Sequence, residues 1–99
     1  MGVNEYYRRT VEVVCDLTGL TEGEIVGKSR MREYVDARCL VVRLLHDAGY
    51  YPSQIARVMS ISTRWVQKIV ETFDDRMRFA ADVMLRCNFE EATKILRFK

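Results

Sequence analysis

The chain predicts an all-α domain of five to six helices. Three observations carry that reading. Apolar residues recur at three- and four-residue spacing, as in Val66, Ile69, Val70 and Phe73. Capping and breaking residues punctuate these runs, notably Gly19, Thr21, Gly27, Gly49 and Pro52. At 48% hydrophobic and 30% charged residues, the 99-residue chain has the make-up of one folded domain with a small core.

The first helix runs from Val3 to about Leu17, with Tyr7, Val11, Val14 and Cys15 as its apolar stripe. Gly19 is its C-cap. Thr21 and Glu24 have the spacing of a capping box and open a short helix that points Ile25 and Val26 inward, and Gly27 stops it. A long helix from about Met31 to Asp47 follows. Val35, Leu40, Val41, Val42, Leu44 and Leu45 make it apolar around much of its circumference, so it is the central helix. Arg38 lies within that apolar pattern and needs a partner or a phosphate. Gly49 ends the helix and Pro52 opens the next.

Residues 52–73 read as two helices at a sharp angle. Ile55, Ala56 and Met59 face inward on the first, Ile61 fills the turn, and Val66, Ile69, Val70 and Phe73 face inward on the second. Ser62 or Thr63 caps the second helix. Ser60 stands where such turns commonly hold Gly. Either it is strained at positive φ or the turn is built differently. Thr63, Arg64, Gln67, Lys68 and Glu71 are left facing out. This is the layout of a DNA-binding helix-turn-helix, whose second helix brings its N-terminal residues to base edges in the major groove. The remaining tail, 74–99, is expected to continue as a helical extension. Met77, Ala80, Ala81, Met84 and Leu85 form one face, Asn88 marks a break, and a short last helix follows. Phe79, Phe89, Ile95, Leu96 and Phe98 add so much apolar surface that the tail must pack on the core or form a homodimer seam. With no linker in sight, residues 1–99 count as a single domain.

Charge and cysteine usage narrow the function classes. The formal net charge is only +2, so a basic footprint has to be local. From Lys28 to Arg43 five cations stand against two anions, the densest part being Lys28-Ser29-Arg30-Met31-Arg32. Cys15, Cys39 and Cys87 are far apart, and His46 is the one histidine, placed to favour a helix C-terminus. No metal ligand set, cofactor motif or clustered nucleophile and base is present, which argues against an enzyme. No apolar run reaches membrane-spanning length and the N-terminus lacks the apolar stretch of a signal peptide. The expected location is the cytoplasm, with reduced cysteines and association with the nucleoid.

Lys28-Ser-Arg30-Met-Arg32-Glu-Tyr-Val35-Asp-Ala37-Arg38, the long apolar helix, Gly49 and Ile55-Ala56 follow in an order that resembles the C-terminal DNA-binding domain of the bacterial chromosomal replication initiator DnaA. The likeness covers about Val11–Phe73 and includes the Thr-Gly-Leu-Thr-Glu-Gly-Glu-Ile lead-in. The Trp-repressor group has a similar helical frame. The resemblance implies that Arg30 enters the minor groove and that Arg38 meets phosphate. In that family the recognition helix begins Gly-Gly-Arg-Asp-His-Thr-Thr-Val. Here the segment is Ser60-Ile61-Ser62-Thr63-Arg64-Trp65-Val66, one residue shorter, with Asp, His and both Thr replaced. The resemblance therefore implies the fold and the docking mode, and not the initiator's target sequence. Nothing in the chain resembles a phosphate-binding loop or the initiator's ATPase domain. The expected activity is sequence-specific binding of double-stranded DNA, in replication or transcription control. Lys28, Arg30, Arg32, Arg38, Ser62, Thr63, Arg64, Trp65, Gln67 and Lys68 form its interface, with Lys68 and Arg38 on phosphate. The alternative is a protein–protein interaction module built on the same scaffold and the apolar tail.

Overall fold

The computed structural model describes residues 2–78 and 82–97. It contains six helices and no strand among the described residues: α1 (Val3–Thr18), α2 (Glu22–Val26), α3 (Arg32–Asp47), α4 (Pro52–Met59), α5 (Thr63–Arg76) and α6 (Val83–Arg97). The punctuation read from the chain sets the boundaries. Gly19, at φ +76°, ends α1 and donates its amide to the Cys15 carbonyl at 2.8 Å. Thr21 and Glu24 close the capping box in both directions. Gly49, at φ +97°, closes α3, and Pro52 takes the first position of α4, where its missing N–H costs nothing.

Every other helix packs on α3. Ala37 to Val42 are buried without interruption, as are Leu44 and Leu45. Val11 and Val14 come from α1, Ile25 from α2, Ile55, Ala56 and Met59 from α4, and Val66, Ile69 and Phe73 from α5. Val35, expected in the core, is only partly buried at its edge, because it sits in the first turn of α3, before the surrounding helices close over it.

The described part of the tail packs on the core through α6. Its helix differs from the expectation in three ways. First, α5 stops at Arg76, so the tail is not a continuation of it. Second, α6 runs through Asn88 without a break. Leu85, Phe89, Ala92 and Leu96 lie at four-, three- and four-residue spacing on one face, and burying that face against α1 and α3 outweighs the poor helix propensity of one Asn. Third, Met84, placed above on the inner face, is 71% exposed, because the buried stripe begins one residue later at Leu85. Phe79, Ala80, Ala81 and Phe98 lie outside the described residues. No helix among the described residues is long and apolar enough to cross a membrane.

The turn between α4 and α5 is the left-handed one. Ser60 has φ +57° and ψ +44°. Two hydrogen bonds brace it: Ile61 N–H to the Ala56 carbonyl (3.0 Å) and Ser60 N–H to the Arg57 carbonyl (3.3 Å). This is a Schellman closure, which satisfies carbonyls that the helix end would leave orphaned. A Cβ in this conformation is strained against the following carbonyl. Ser60→Gly is therefore expected to leave the fold intact and to raise stability by up to about 1 kcal/mol, the relief of strain exceeding the entropy Gly adds to the unfolded chain. Chemical denaturation of both proteins measures it, and a clear loss of stability in the Gly variant would contradict the account.

Candidate nucleic-acid interface

Ser62 leaves α4's turn in extended backbone and caps α5, its hydroxyl accepting the Trp65 amide at 3.1 Å. Burial of Val66, Ile69 and Phe73 then fixes the rotation of α5 about its axis. The opposite face follows: Ser62, Thr63, Arg64, Gln67, Lys68 and Glu71 are all exposed. Arg64, Gln67 and Lys68 make no side-chain hydrogen bond or ion pair among the described residues. Trp65 is half-buried, packed against the core beside Cys39, Lys68 and Thr72. It flanks this face rather than projecting from it.

The basic loop, residues 28–31, lies between α2 and α3. Lys28 and Arg30 are exposed, and neither has an ion-pair partner among the described residues. Arg32 and Arg38 behave differently. The Arg32 side chain is 71% exposed, yet its guanidinium lies 3.2 Å from Asp82 and 3.8 Å from Asp36. Arg38 is 5% exposed. Its Nε donates to the Ile25 carbonyl at 2.6 Å and its Nη2 to the Ser29 carbonyl at 3.1 Å. The need for a partner is thus met inside the protein.

Four charged side chains link the loop's end to the far end of α5. Arg76, in the last turn of α5, reaches Asp36 on α3 and Asp82 before α6, each at 2.9 Å, and Arg32 joins both carboxylates. The Arg76 hydrogen bond, with Arg32 behind it, holds the Asp82 carboxyl below its ordinary range. A second clamp centres on Arg43. Its guanidinium pairs with Asp74 (2.8 Å) and Asp47 (2.9 Å) and lies over the rings of Phe73 and Phe89. Those rings meet edge to face with centroids 5.1 Å apart. Helix α5 is therefore fixed at its start by a cap and at its end by two arginine clusters. Sequence reading missed the Arg76–Asp36–Asp82 set. Asp36 lies far from Arg76 in the chain, and Asp82, only six residues on, follows the end of α5, so no helical spacing links either to Arg76.

The other polar groups suit a structural role. Tyr34 donates its hydroxyl to Glu24 at 2.5 Å and thereby holds the Glu24 carboxyl below its usual range. Burial pushes the Cys39 thiol up to about 11, far from a reactive thiolate. His46 sits in the last turn of α3, as its place near the helix end suggested.

Asp82 supplies a pH test with a definite sign. Its folded-state pKa is lowered, so its contribution to stability is fully present above the unfolded carboxylate value and is lost as pH falls through the lowered folded value. Asp82→Asn is expected to flatten that acid limb and to leave the neutral-to-basic part of the profile parallel to wild type. Denaturation midpoints measured from neutral pH down into the acid range check this. Identical acid limbs in the two proteins would show that the ion pairs do not form in solution.

Residues 33–80 match a family model described as a homeodomain-like domain. The chain is also 32% identical over 72 residues to the chromosomal replication initiator protein DnaA from two strains of Leptospira biflexa serovar Patoc. The match takes in 72% of this chain and 16% of each relative, so the chain corresponds to a small part of those proteins. No solved structure gives a significant match. The six helices, the left-handed turn and these similarities agree: the chain carries a helix-turn-helix domain similar to the C-terminal domain of DnaA.

Proposed function

We propose that the chain works as one helical domain that binds double-stranded DNA, with α5 in the major groove and the basic loop on an adjacent groove. One observation carries the reading. The start of α5 is held by a cap and a buried inner face, so Arg64, Gln67 and Lys68 project together into solvent with no internal partner among the described residues. Exposed side chains at the start of a rigid helix are what base-edge readout requires. Arg pairs bidentately with guanine and Gln with adenine, so Arg64 and Gln67 carry specificity. Lys68, Lys28 and the hydroxyls of Ser62 and Thr63 meet phosphate, which sets affinity and register. Arg30 takes the minor groove, where narrow A·T tracts attract arginine. Arg32 reaches phosphate only by sharing its charge with Asp82. The DnaA relatives are replication initiators by name, and control of replication or transcription is the process this reading favours. Because α5 departs from the initiator's reading segment, the preferred site differs from the initiator's.

Binding titrations on a site selected from random duplexes, on its single-base variants and on random duplex, each at several salt concentrations, test the assignment. Arg64→Ala is expected to cost about 1–3 kcal/mol on the preferred site and to relax specificity at one base pair. Lys68→Ala is expected to weaken all sequences alike and to reduce the salt slope by about one. Arg30→Ala is expected to cost most where the flank is A·T-rich. Unchanged binding and slope in Arg64→Ala, Gln67→Ala and Lys68→Ala would end the DNA reading. The helix-turn-helix would then be a scaffold for a protein partner.

A further inference from the structure

The buried guanidinium of Arg38 is bound by two backbone carbonyls, and their positions are informative. Ile25 is in the last turn of α2, whose final carbonyls have no partner inside the helix. Ser29 is in the middle of the basic loop, directly before Arg30. One planar group on α3 therefore ties together the helix that precedes the loop and the residue that precedes the exposed arginine. A guanidinium can do this because its N–H donors point in fixed, diverging directions, whereas an ammonium is a compact point donor on a flexible stem with no such fixed fork.

The neighbouring contacts limit what the loop can do. Gly27, the C-cap of α2, precedes it, with its amide on the Gly23 carbonyl at 3.0 Å. A Cβ at residue 27 would lie 2.7 Å from that carbonyl oxygen, so the close approach requires glycine. Tyr34 locks α2 onto α3 through Glu24. The Ser29 hydroxyl accepts the Met31 amide at 3.3 Å while the Ser29 carbonyl accepts from Arg38. The residue before Arg30 is thus held through its carbonyl and its side chain, and the residue after it through its amide. The Arg30 side chain itself, like that of Lys28, has no hydrogen-bond or ion-pair partner among the described residues.

We propose that Arg38 is a positioning residue for the DNA interface: it makes no phosphate contact, and it presents Arg30 to the minor groove by fixing the Lys28–Met31 backbone from beneath. The assignment rests on the DNA-binding reading above and reverses the phosphate role that the family resemblance implies for this position. Its physical basis is preorganisation. A loop already ordered in the free protein loses little conformational freedom when Arg30 enters a groove, so the contact retains more of its affinity.

Arg38→Lys separates the two roles, because lysine keeps the charge and serves as well for a phosphate but lacks the planar fork that holds both carbonyls in one fixed geometry. Three readings are made on the full chain, with Arg38→Gln alongside as an uncharged variant. In the free protein, backbone order parameters at Lys28–Met31 are expected to fall from about 0.85 to below about 0.6 in both variants, while α5 stays rigid. On the selected duplex, Arg38→Lys is expected to bind about tenfold more weakly with an unchanged salt slope. In an Arg30→Ala background that tenfold loss is expected to vanish, since there is no longer a side chain to present. An unchanged loop, near-wild-type binding by the lysine variant, or losses that multiply with Arg30→Ala would overturn the assignment in favour of phosphate contact. Loss of the whole fold in both variants would overturn it in favour of a general structural role. The order parameters need no DNA. A wild-type protein that fails to bind duplex therefore counts against the DNA reading, and the loop measurement still decides whether Arg38 orders the loop.

Discussion

The constraint on which the fold depends is that α3 has no solvent face in its middle. Ala37 through Val42 are buried in succession, more than one full turn of helix, and Leu44 and Leu45 extend the buried stretch. A helix buried on all sides needs neighbours on all sides. That single requirement brings α1, α2, α4, α5 and α6 all into contact with α3. It also accounts for the tail. Without α6 the apolar side chains of α1 and α3 that it covers would face water, and Leu85, Ala92 and Leu96 would have nothing to pack on. The position of α5 is a consequence of the same constraint, since it is held by its contacts with α3 and α4.

Most of this was legible because the signals were local. Periodicity located the inner faces of α3, α4 and α5. Caps located the ends: the Thr21 and Glu24 box, Gly19 and Pro52 each act within four residues of where they stand. The positive φ at Ser60 was legible as one of two options, because only the Schellman bonds decide between them. What could not be read depends on distant partners. Asn88 looked like a break because propensity speaks against it, while the face that overrides it becomes visible only when α1 and α3 are in place. Met84 was misplaced by one step on the helical wheel, which is enough to turn a side chain from core to solvent. The extent of the exposed face of α5 followed directly from its buried face. The fate of each arginine did not, since exposure and pairing depend on which carboxylates and carbonyls the fold brings near.

The arginines show how a chain of net charge +2 can present a basic surface. They divide by partner. Arg43 and Arg76 are tied to carboxylates and spend their charge on holding helices together. Arg32 is shared, exposed for most of its surface yet within reach of Asp36 and Asp82. Arg38 is bound to carbonyls, which satisfy its donors without cancelling its charge. Arg30 and Arg64, with Lys28 and Lys68, have no partner among the described residues. Counting charges along the chain treats all of these alike, which is why the overall balance understates the basic surface.

The same division explains why the arginines of the loop and the start of α3 are not interchangeable although they are only a few residues apart. Alternation of unpaired Arg30, shared Arg32 and buried Arg38 gives one long cation on a short, anchored backbone. An unanchored loop would gather the same charge near a phosphate chain, since Coulomb attraction at these distances has little directional content. It would not place a guanidinium at a fixed distance from α5. Reading a duplex in two grooves at once depends on that distance, because the spacing of the grooves is set by the DNA. In the proposed reading, backbone carbonyls and a planar side chain meet that requirement. The rigid reference for both contacts is the same buried helix, α3, which carries Arg38 at one end of its buried stretch and supports α5 along the rest.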